Sequence, residues 1–270
     1  MITNVFVKKA LFVAIFLFAV LATTLLILGM ERKGSSQKLV ESQVAVVHEN
    51  QKDRRVVVVS EVSQNNPDQS SVASTKVEPI PAQFKLSVPF TSQAPYANWD
   101  ERHEEACEEA SLLMVIYYLQ KKSLNKEIAE KEIQGMIDFE TKQYGDFRDS
   151  TASDIVRLAK EYYGIQNLRV VYDFSQEALK REVAKGNPVI IPAAGRLLGN
   201  PNFTAPGPLY HNLVIIGYDG DTIITNDPGT RKGEGYQYQI DVLYDAIHDF
   251  PGSKEEIERG RKAMVVVDAS

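Results

Sequence analysis

A single cysteine, Cys107, is the residue of this 270-residue chain best suited to nucleophilic chemistry. It stands at the predicted start of a helix, where the partial positive charge of the helix N-terminus stabilises a thiolate, the reactive form of the side chain. A lone cysteine taken by itself is more often a buried structural residue. Its interpretation therefore depends on the residues that accompany it.

Two further residues are suited to act as a base and as the carboxylate that orients it. His211 opens a strongly apolar run, and a histidine at the mouth of such a strand is held rigidly while its ring stays accessible. Asp227 ends the next strand of the same predicted hairpin, so we expect it to contact the far ring nitrogen of His211 and fix the tautomer. The alternatives are a surface histidine and a plain Asp-Pro-Gly turn.

Gln93, 14 residues before Cys107, completes the predicted catalytic set. Its amide is expected to donate a hydrogen bond to a developing oxyanion, with the backbone N–H of Cys107 as the second donor. An exposed loop glutamine is the alternative. The chemistry of Cys107, His211, Asp227 and Gln93 requires neither a metal nor an organic cofactor.

At these residues the sequence resembles the bacteriocin-processing-peptidase-like (double-glycine-peptidase-like) cysteine peptidases. The resemblance rests on residues 88–95 (VPFTSQAP), Trp99 and residues 105–114 (EACEEASLLM), and it extends over roughly residues 84–267. That family combines a glutamine, a cysteine that opens a helix, a His-x-[LV]-[LV] strand and an Asn-Asp-Pro turn. The matching positions here are Gln93, Cys107, His211 and Asp227. The resemblance implies a papain-like fold and a thiol peptidase that acts on peptide precursors or cell-wall peptides.

The acidic residues around the cysteine depart from this pattern, because many relatives carry Cys-Gly-Pro where this chain has Cys-Glu-Glu. Nearby carboxylates raise the pKa of a thiol and oppose the helix dipole. We expect them to point to solvent, since helix N-termini attract acidic residues. The alternative is a subsite for cationic substrates. The acids in question are Asp100, Glu101, Glu104, Glu105, Glu108 and Glu109.

Well-known members of that family are fused to ATPases that export peptides. A phosphate-binding Gly-x-x-x-x-Gly-Lys-[Ser/Thr] segment does not occur in this sequence, which counts against removal of double-glycine leaders during export. The stretch 195–210, rich in Gly, Pro and Asn, leads directly to His211. We expect it either to line the cleft or to be a passive connection.

Periodicity and caps predict the elements that must position these residues. Thr151 and Asp154 resemble a capping box, and Gly164 is expected to end the helix that they open. Asp219-Gly220 is a hairpin signal. Helices followed by strands predict a papain-like α+β fold, with N-terminal helices packed on an antiparallel sheet. Helices are predicted over 107–120, 126–137, 151–163 and 175–185, and strands over 84–88, 188–192, 212–218, 222–225, 236–240 and 263–267.

The first part of the chain predicts a membrane anchor and a tether. Residues 10–30 carry no charge, and a helix of that length at ~1.5 Å per residue spans roughly 30 Å, the hydrocarbon thickness of a bilayer. A cleavable signal peptide is the alternative, but the run is long and lacks an Ala-x-Ala site. We predict a stub over 1–9, an uncleaved transmembrane signal anchor over 10–30, a flexible linker over 31–81 and a peptidase domain over 82–270.

The composition of the chain limits the kinds of partner that we expect it to bind. The net charge is −6, and the sequence has no basic stripe of the kind that binds nucleic acid, so nucleic acid is not an expected partner. One cysteine excludes a disulfide within the chain and zinc sites that need several cysteines. The sequence thus predicts a single-pass thiol peptidase of the cell membrane, with its catalytic domain outside the cytoplasm and exported or cell-surface peptides as substrates. A catalytically silent domain that binds peptides or cell-surface polymers, or an acyl transferase with the same triad, are the alternatives.

Overall fold

The computed structural model describes residues 79–267. The predicted anchor over 10–30 and nearly all of the predicted linker lie outside the described residues. Across the described range, none of the helices combines the length and the apolar character that crossing a bilayer requires.

Helices and strands follow one another in an α+β order. The helices of the described range are α1 (Glu101–Glu104), α2 (Cys107–Leu119), α3 (Lys126–Tyr144), α4 (Ala152–Tyr163), α5 (Gln176–Ala184) and α6 (Ile240–Ala246). The strands are β1 (Gln83–Lys85), β2 (Leu168–Tyr172), β3 (Val189–Ala194), β4 (Tyr210–Asp219), β5 (Thr222–Asn226), β6 (Tyr236–Gln239) and β7 (Ala263–Val267). Short 3-10 helices cover Gly195–Leu198 and Lys254–Arg259.

These strands form one sheet in the order β2-β7-β3-β4-β5-β6, and every pair in it is antiparallel. Strand β4 is its centre: β3 pairs with its first half, β5 runs along its other edge, and β1 pairs with its last residues. Strand β4 is buried from Tyr210 to Tyr218. The predicted α+β class with an antiparallel sheet is confirmed.

Capping residues set the helix ends as the sequence indicates. The capping box of Thr151 and Asp154 opens α4, and Gly164 ends it in the left-handed conformation. Asn125 caps α3 in the same way, by accepting the backbone N–H of Ile128. Helix α3 runs seven residues beyond the predicted end at 137, because a glycine that stops it, Gly145, comes only after Tyr144.

Helix α2 is buried on all sides over its first eleven residues, Cys107 to Tyr117. It packs on β4 and contacts both α3 and α4. The sequence pattern indicates one apolar face, yet a helix at the centre of a domain has no solvent face. This position decides where the two acids that follow Cys107 lie.

Candidate active site

The hairpin of β4 and β5 brings His211 and Asp227 together. The Nε2 atom of His211 lies 2.8 Å from Oδ1 of Asp227, and both side chains are almost fully buried. In the pairing of β4 with β5, Val214 faces Asn226, so the first residues of one strand lie beside the turn that follows the other. The contact predicted between these two side chains is present in the structure.

The second oxygen of Asp227 is held by two residues that the sequence reading did not include. The hydroxyl of Tyr238 donates to Oδ2 at 2.7 Å, and the side-chain amide of Asn200 donates to it at 3.1 Å. Burial acts to raise the pKa of Asp227, but the charge and hydrogen bond of His211 and the bond from Tyr238 outweigh it and lower the pKa. Asp227 is therefore a stable carboxylate.

A glycine and an aromatic ring form the walls around the imidazole of His211. A Cβ atom on Gly229 would lie only 2.8 Å from Cε1 of His211, so the backbone approaches the ring as only glycine permits. The ring of Phe203 meets the imidazole edge to face, with 5.2 Å between centroids. These contacts fix the plane of the imidazole ring.

Cys107 is the first residue of α2 and lies in the wall of the same cleft as His211. Its side chain is 5% exposed, and its Sγ lies 2.9 Å from Oε2 of Glu108. Burial raises the pKa of the Cys107 thiol well above its ordinary value, an ionised Glu108 raises it further, and the backbone N–H of Asn212 lowers it. Deprotonation of the thiol at neutral pH must therefore overcome the rise in pKa that burial causes.

Gln93 lines the same cleft as Cys107, but its amide is engaged in hydrogen bonds to the backbone. Its Nε2 donates to the backbone carbonyls of His103 and Glu104, at 2.8 and 2.9 Å. Both amide hydrogens are thus used to hold the end of α1, shortly before Cys107. In this conformation the side chain is not free to donate to an oxyanion.

A segment before α1 is tied to the Asn-Asp-Pro turn. The side-chain amide of Asn226 donates to the carbonyl of Val88, and the backbone N–H of Gln93 donates to the carbonyl of Pro228. The hydroxyl of Ser92 donates to the same carbonyl. The turn that carries Asp227 and the loop that carries Gln93 therefore form one unit.

The acidic cluster divides in a way that overturns part of the expectation. Asp100, Glu101 and Glu104 are exposed as expected, whereas Glu108 and Glu109 are buried. Glu109 faces Glu140 of α3, and its pKa is raised by burial and by the charge of Glu140. The sequence prediction was wrong for these two residues because α2 is enclosed on all sides.

The cleft has a volume of about 920 Å³. The stretch 195–210 forms much of its wall, so the first of the two expectations for this stretch, that it lines the cleft, is met. Its lining carries both signs of charge and includes the acidic residues Glu104 and Glu105. Basic residues of the lining are Arg196, Arg231, Lys232 and Lys254. Among the residues that the structure describes, no group of three His, Cys, Asp or Glu side chains is arranged to hold a metal ion.

Sequence reasoning missed Asn200, Phe203, Tyr238 and Glu140 as parts of the site. Asn200 and Phe203 lie in the stretch 195–210, for which the sequence indicates a possible cleft lining but no individual residues. Tyr238 lies two strands away from His211, and Glu140 lies on a helix predicted to end before it. These residues reach the site through tertiary contacts between several elements, and local sequence spacing does not indicate such contacts.

Comparison with known proteins identifies a family that the sequence matches. A family model described as the Peptidase_C39 like family matches residues 85–252, more than half of the chain. A search of curated proteins returns no match. Among solved structures, the chain is similar to a Bacillus anthracis protein described as a C39-like peptidase, with 19% identity and a TM-score of 0.44. That alignment covers 70% of this chain and 98% of the other. The resemblance seen in the motifs is confirmed.

Proposed function

Since the chain belongs to the peptidase C39-like family and is a cysteine peptidase, we propose that it cleaves peptide or amide bonds through an acyl-enzyme formed on Cys107. His211 is the base in this proposal, and Asp227 orients it. The family match covers the whole segment that holds these three residues. The site indicates only the class of the substrate, which is a peptide that fits into the cleft.

One observation carries the proposal: Nε2 of His211 is held by Asp227, and the histidine lines the same cleft as Cys107. Within the described residues, Nδ1 of His211 makes no hydrogen bond, so this nitrogen is the one left to exchange a proton with the thiol. Asp227 keeps Nε2 protonated and stabilises the imidazolium that forms. A domain that only binds peptides needs none of this arrangement.

The proposed reaction has two halves. His211 Nδ1 takes the thiol proton, Sγ bonds to the carbonyl carbon of the substrate, and the tetrahedral intermediate collapses as the imidazolium gives that proton to the leaving amine. A water molecule then gives a proton to His211 and attacks the thioester carbon. The carboxylic product leaves, and the proton returns to Cys107. The cycle consumes one water and restores the enzyme.

The oxyanion requires a donor other than the Gln93 side chain as it stands. We propose the backbone N–H of Cys107, at the N-terminus of α2, for this role. Gln93 contributes by holding the carbonyls of His103 and Glu104, which precede the nucleophile. A direct contact of its amide with the oxyanion requires that it release one of those carbonyls when substrate binds.

The proposal places the domain at the cell membrane with the cleft outside the cytoplasm. It rests on residues 10–30, an uncharged run of bilayer length, and on the polar stretch that follows. The substrates are then exported or cell-surface peptides. Protease added to intact spheroplasts should digest the domain, and a protected domain, or a mature N-terminus at or beyond residue 31, would contradict this topology.

A peptide library tests the chemistry. The purified protein is incubated with the library, and mass spectrometry follows both the cleaved products and the mass added to Cys107. We expect new peptide termini and a trapped thioester, both absent from the Cys107→Ala variant. Binding without products would favour a silent binding module. Products joined to an added amine in place of water would favour an acyl transferase with the same triad.

A further inference from the structure

Glu108, the residue after the nucleophile, contacts the reacting sulfur. Its side chain is 2% exposed, and its Oε2 lies 2.9 Å from Sγ of Cys107. The other oxygen, Oε1, accepts the backbone N–H of Ser150 at 3.1 Å. One oxygen of this carboxyl group therefore contacts the sulfur, and the other is held by the backbone.

The surroundings of Glu108 are acidic. Glu140 faces it from α3 and Asp149 from the turn before α4, while its neighbour Glu109 lies on the same helix. Tyr210 of β4 lies close by and donates its hydroxyl to the carbonyl of Ser150. Burial first, and then the charges of Asp149 and Glu140, raise the pKa of Glu108 to about 8.

The cations near this cluster act on its other carboxyl groups, and the charge of Arg157 acts on Glu140. Lys254 pairs with Glu105 at 2.8 Å and with Asp149 at 3.1 Å. Among the described residues, no ion pair joins Glu108 to a Lys, Arg or His side chain. A buried carboxylate without a cation is costly, so the group keeps its proton at neutral pH.

The place of that proton follows from the hydrogen bonds. Oε1 already accepts an N–H, so the proton of the neutral acid lies on Oε2, which faces the sulfur. We propose that Glu108 is a further catalytic residue, a neutral acid whose Oε2–H donates a hydrogen bond to Sγ once the thiol proton has moved to His211. This inference rests on the proposed function and deepens it.

The proton balance of this step is simple. The S–H bond breaks, an N–H bond forms at Nδ1 of His211, and the negative charge on sulfur accepts the Oε2–H hydrogen bond. Glu108 keeps its own proton throughout. Because this donor is neutral, it stabilises a buried thiolate without placing a like charge beside it. A carboxylate at the same point would have the opposite effect.

Substitution of Glu108 separates these two effects. In Glu108→Gln, the amide oxygen can accept the Ser150 N–H, so the amide N–H₂ faces Sγ and donates to it as the neutral acid does. In Glu108→Leu, both the charge and the donor are lost. Glu109→Gln is the matched control, a neighbouring buried carboxyl that has no hydrogen bond to the thiol. Circular dichroism establishes that each variant is folded.

The measurement is the rate of Cys107 alkylation by iodoacetamide at about pH 6 to 7, in the full-length protein. We expect Glu108→Gln and Glu109→Gln to react within about threefold of the wild type, and Glu108→Leu to react about tenfold or more slowly, as loss of a charge-assisted hydrogen bond implies. If Glu108 is a carboxylate that suppresses the thiolate, Glu108→Gln reacts about tenfold faster, and the proposal is overturned. Glu108→Gln decides the matter even if the leucine variant does not fold.

A further variant distinguishes failure of this proposal from failure of the proposed function. His211→Ala should slow alkylation at neutral pH in an otherwise unchanged protein. If it does not, the cysteine–histidine pairing itself is wrong. If it does, and Glu108→Gln still accelerates the reaction, then only the assignment of Glu108 fails.

Discussion

Within residues 79–267, two buried histidines have carboxylate partners, and they differ in how many of their ring nitrogens make a hydrogen bond. His103 of α1 has Nδ1 2.7 Å from Asp100 and Nε2 3.1 Å from Glu130 of α3. His211 has Nε2 on Asp227, and the described residues give its Nδ1 no hydrogen-bond partner. A histidine whose two ring nitrogens both make hydrogen bonds links two elements of the structure. A histidine with one ring nitrogen free of hydrogen bonds can transfer a proton.

The surroundings of the two imidazole rings differ as well. His211 lies against Gly229 and Phe203 in the wall of the cleft, and its carboxylate is held by two further donors. The carboxylate of Asp100 is half exposed, and the side chain of Gln134 also reaches Nε2 of His103, at 3.2 Å. Burial beside an aspartate is thus common to both histidines. The catalytic assignment depends on the free nitrogen and the cleft.

The largest expected effect is the loss of activity in His211→Ala. Removal of the proposed general base should lower kcat/KM by about 10²- to 10⁴-fold on a peptide substrate found in the library screen. Alkylation of Cys107 at neutral pH should fall with it. His103→Ala is the matched control, and we expect its activity per folded molecule to change by less than about tenfold. Similar losses in the two variants would contradict the contrast between the two sites.

A smaller effect is expected from Gly229→Ala, which sharpens the role of the wall. The added Cβ would lie 2.8 Å from Cε1 and 3.1 Å from Nε2 of His211, so the imidazole must shift. Because small misplacements of a catalytic group are costly, we expect kcat/KM per folded molecule to fall by about 10- to 100-fold.

The control for that variant is Gly164→Ala at the end of α4. Gly164 has a positive φ of 73° and no atom within 4 Å of the position of an added Cβ. This substitution should cost about 1 kcal/mol of stability and leave activity per folded molecule unchanged. An active Gly229→Ala enzyme would show that the glycine does not hold the ring.

Local signals were sufficient for the parts of the fold that local chemistry determines. The capping box at Thr151, the turn at Asp219-Gly220 and the apolar run after His211 each fix an element, and from them the meeting of His211 and Asp227 could be predicted. Strand β2 and helix α6 were missed. Strand β2 lies at the edge of the sheet, only its first residue is buried, and it therefore lacks an alternation of period two.

The site beyond the histidine and the aspartate depends on tertiary structure. The sequence around Glu108 is that of an acidic helix start, and only the enclosure of α2 by β4, α3 and α4 turns its side chain inward. The hydrogen bonds of Gln93 could not be predicted for a related reason. Its amide meets the carbonyls of His103 and Glu104, and that arrangement is set by the path of the chain between Gln93 and Cys107.

The smallest expected effect concerns stability at His103 and tests whether this histidine is a charged link. Burial acts to lower its pKa, but the hydrogen bonds and charges of Asp100 and Glu130 outweigh it and raise the pKa above the ordinary 6.5. The folded state thus binds the proton more tightly than the unfolded state. The stabilisation is fully present below about pH 6.5 and is lost as the pH rises through the folded-state pKa.

His103→Gln removes the charge while the backbone N–H of this residue can still be capped by Asp100. We expect the wild type to exceed this variant by about 1 kcal/mol in free energy of unfolding near pH 5.5, since solvent screens the half-exposed Asp100. The difference should shrink by about pH 8.5, and urea denaturation at both values measures it. His211→Gln provides the comparison for a histidine with a single carboxylate partner. A difference for His103 that is constant with pH would mean that the ring is neutral in the folded protein, and that its two carboxylates hold it without an ion pair.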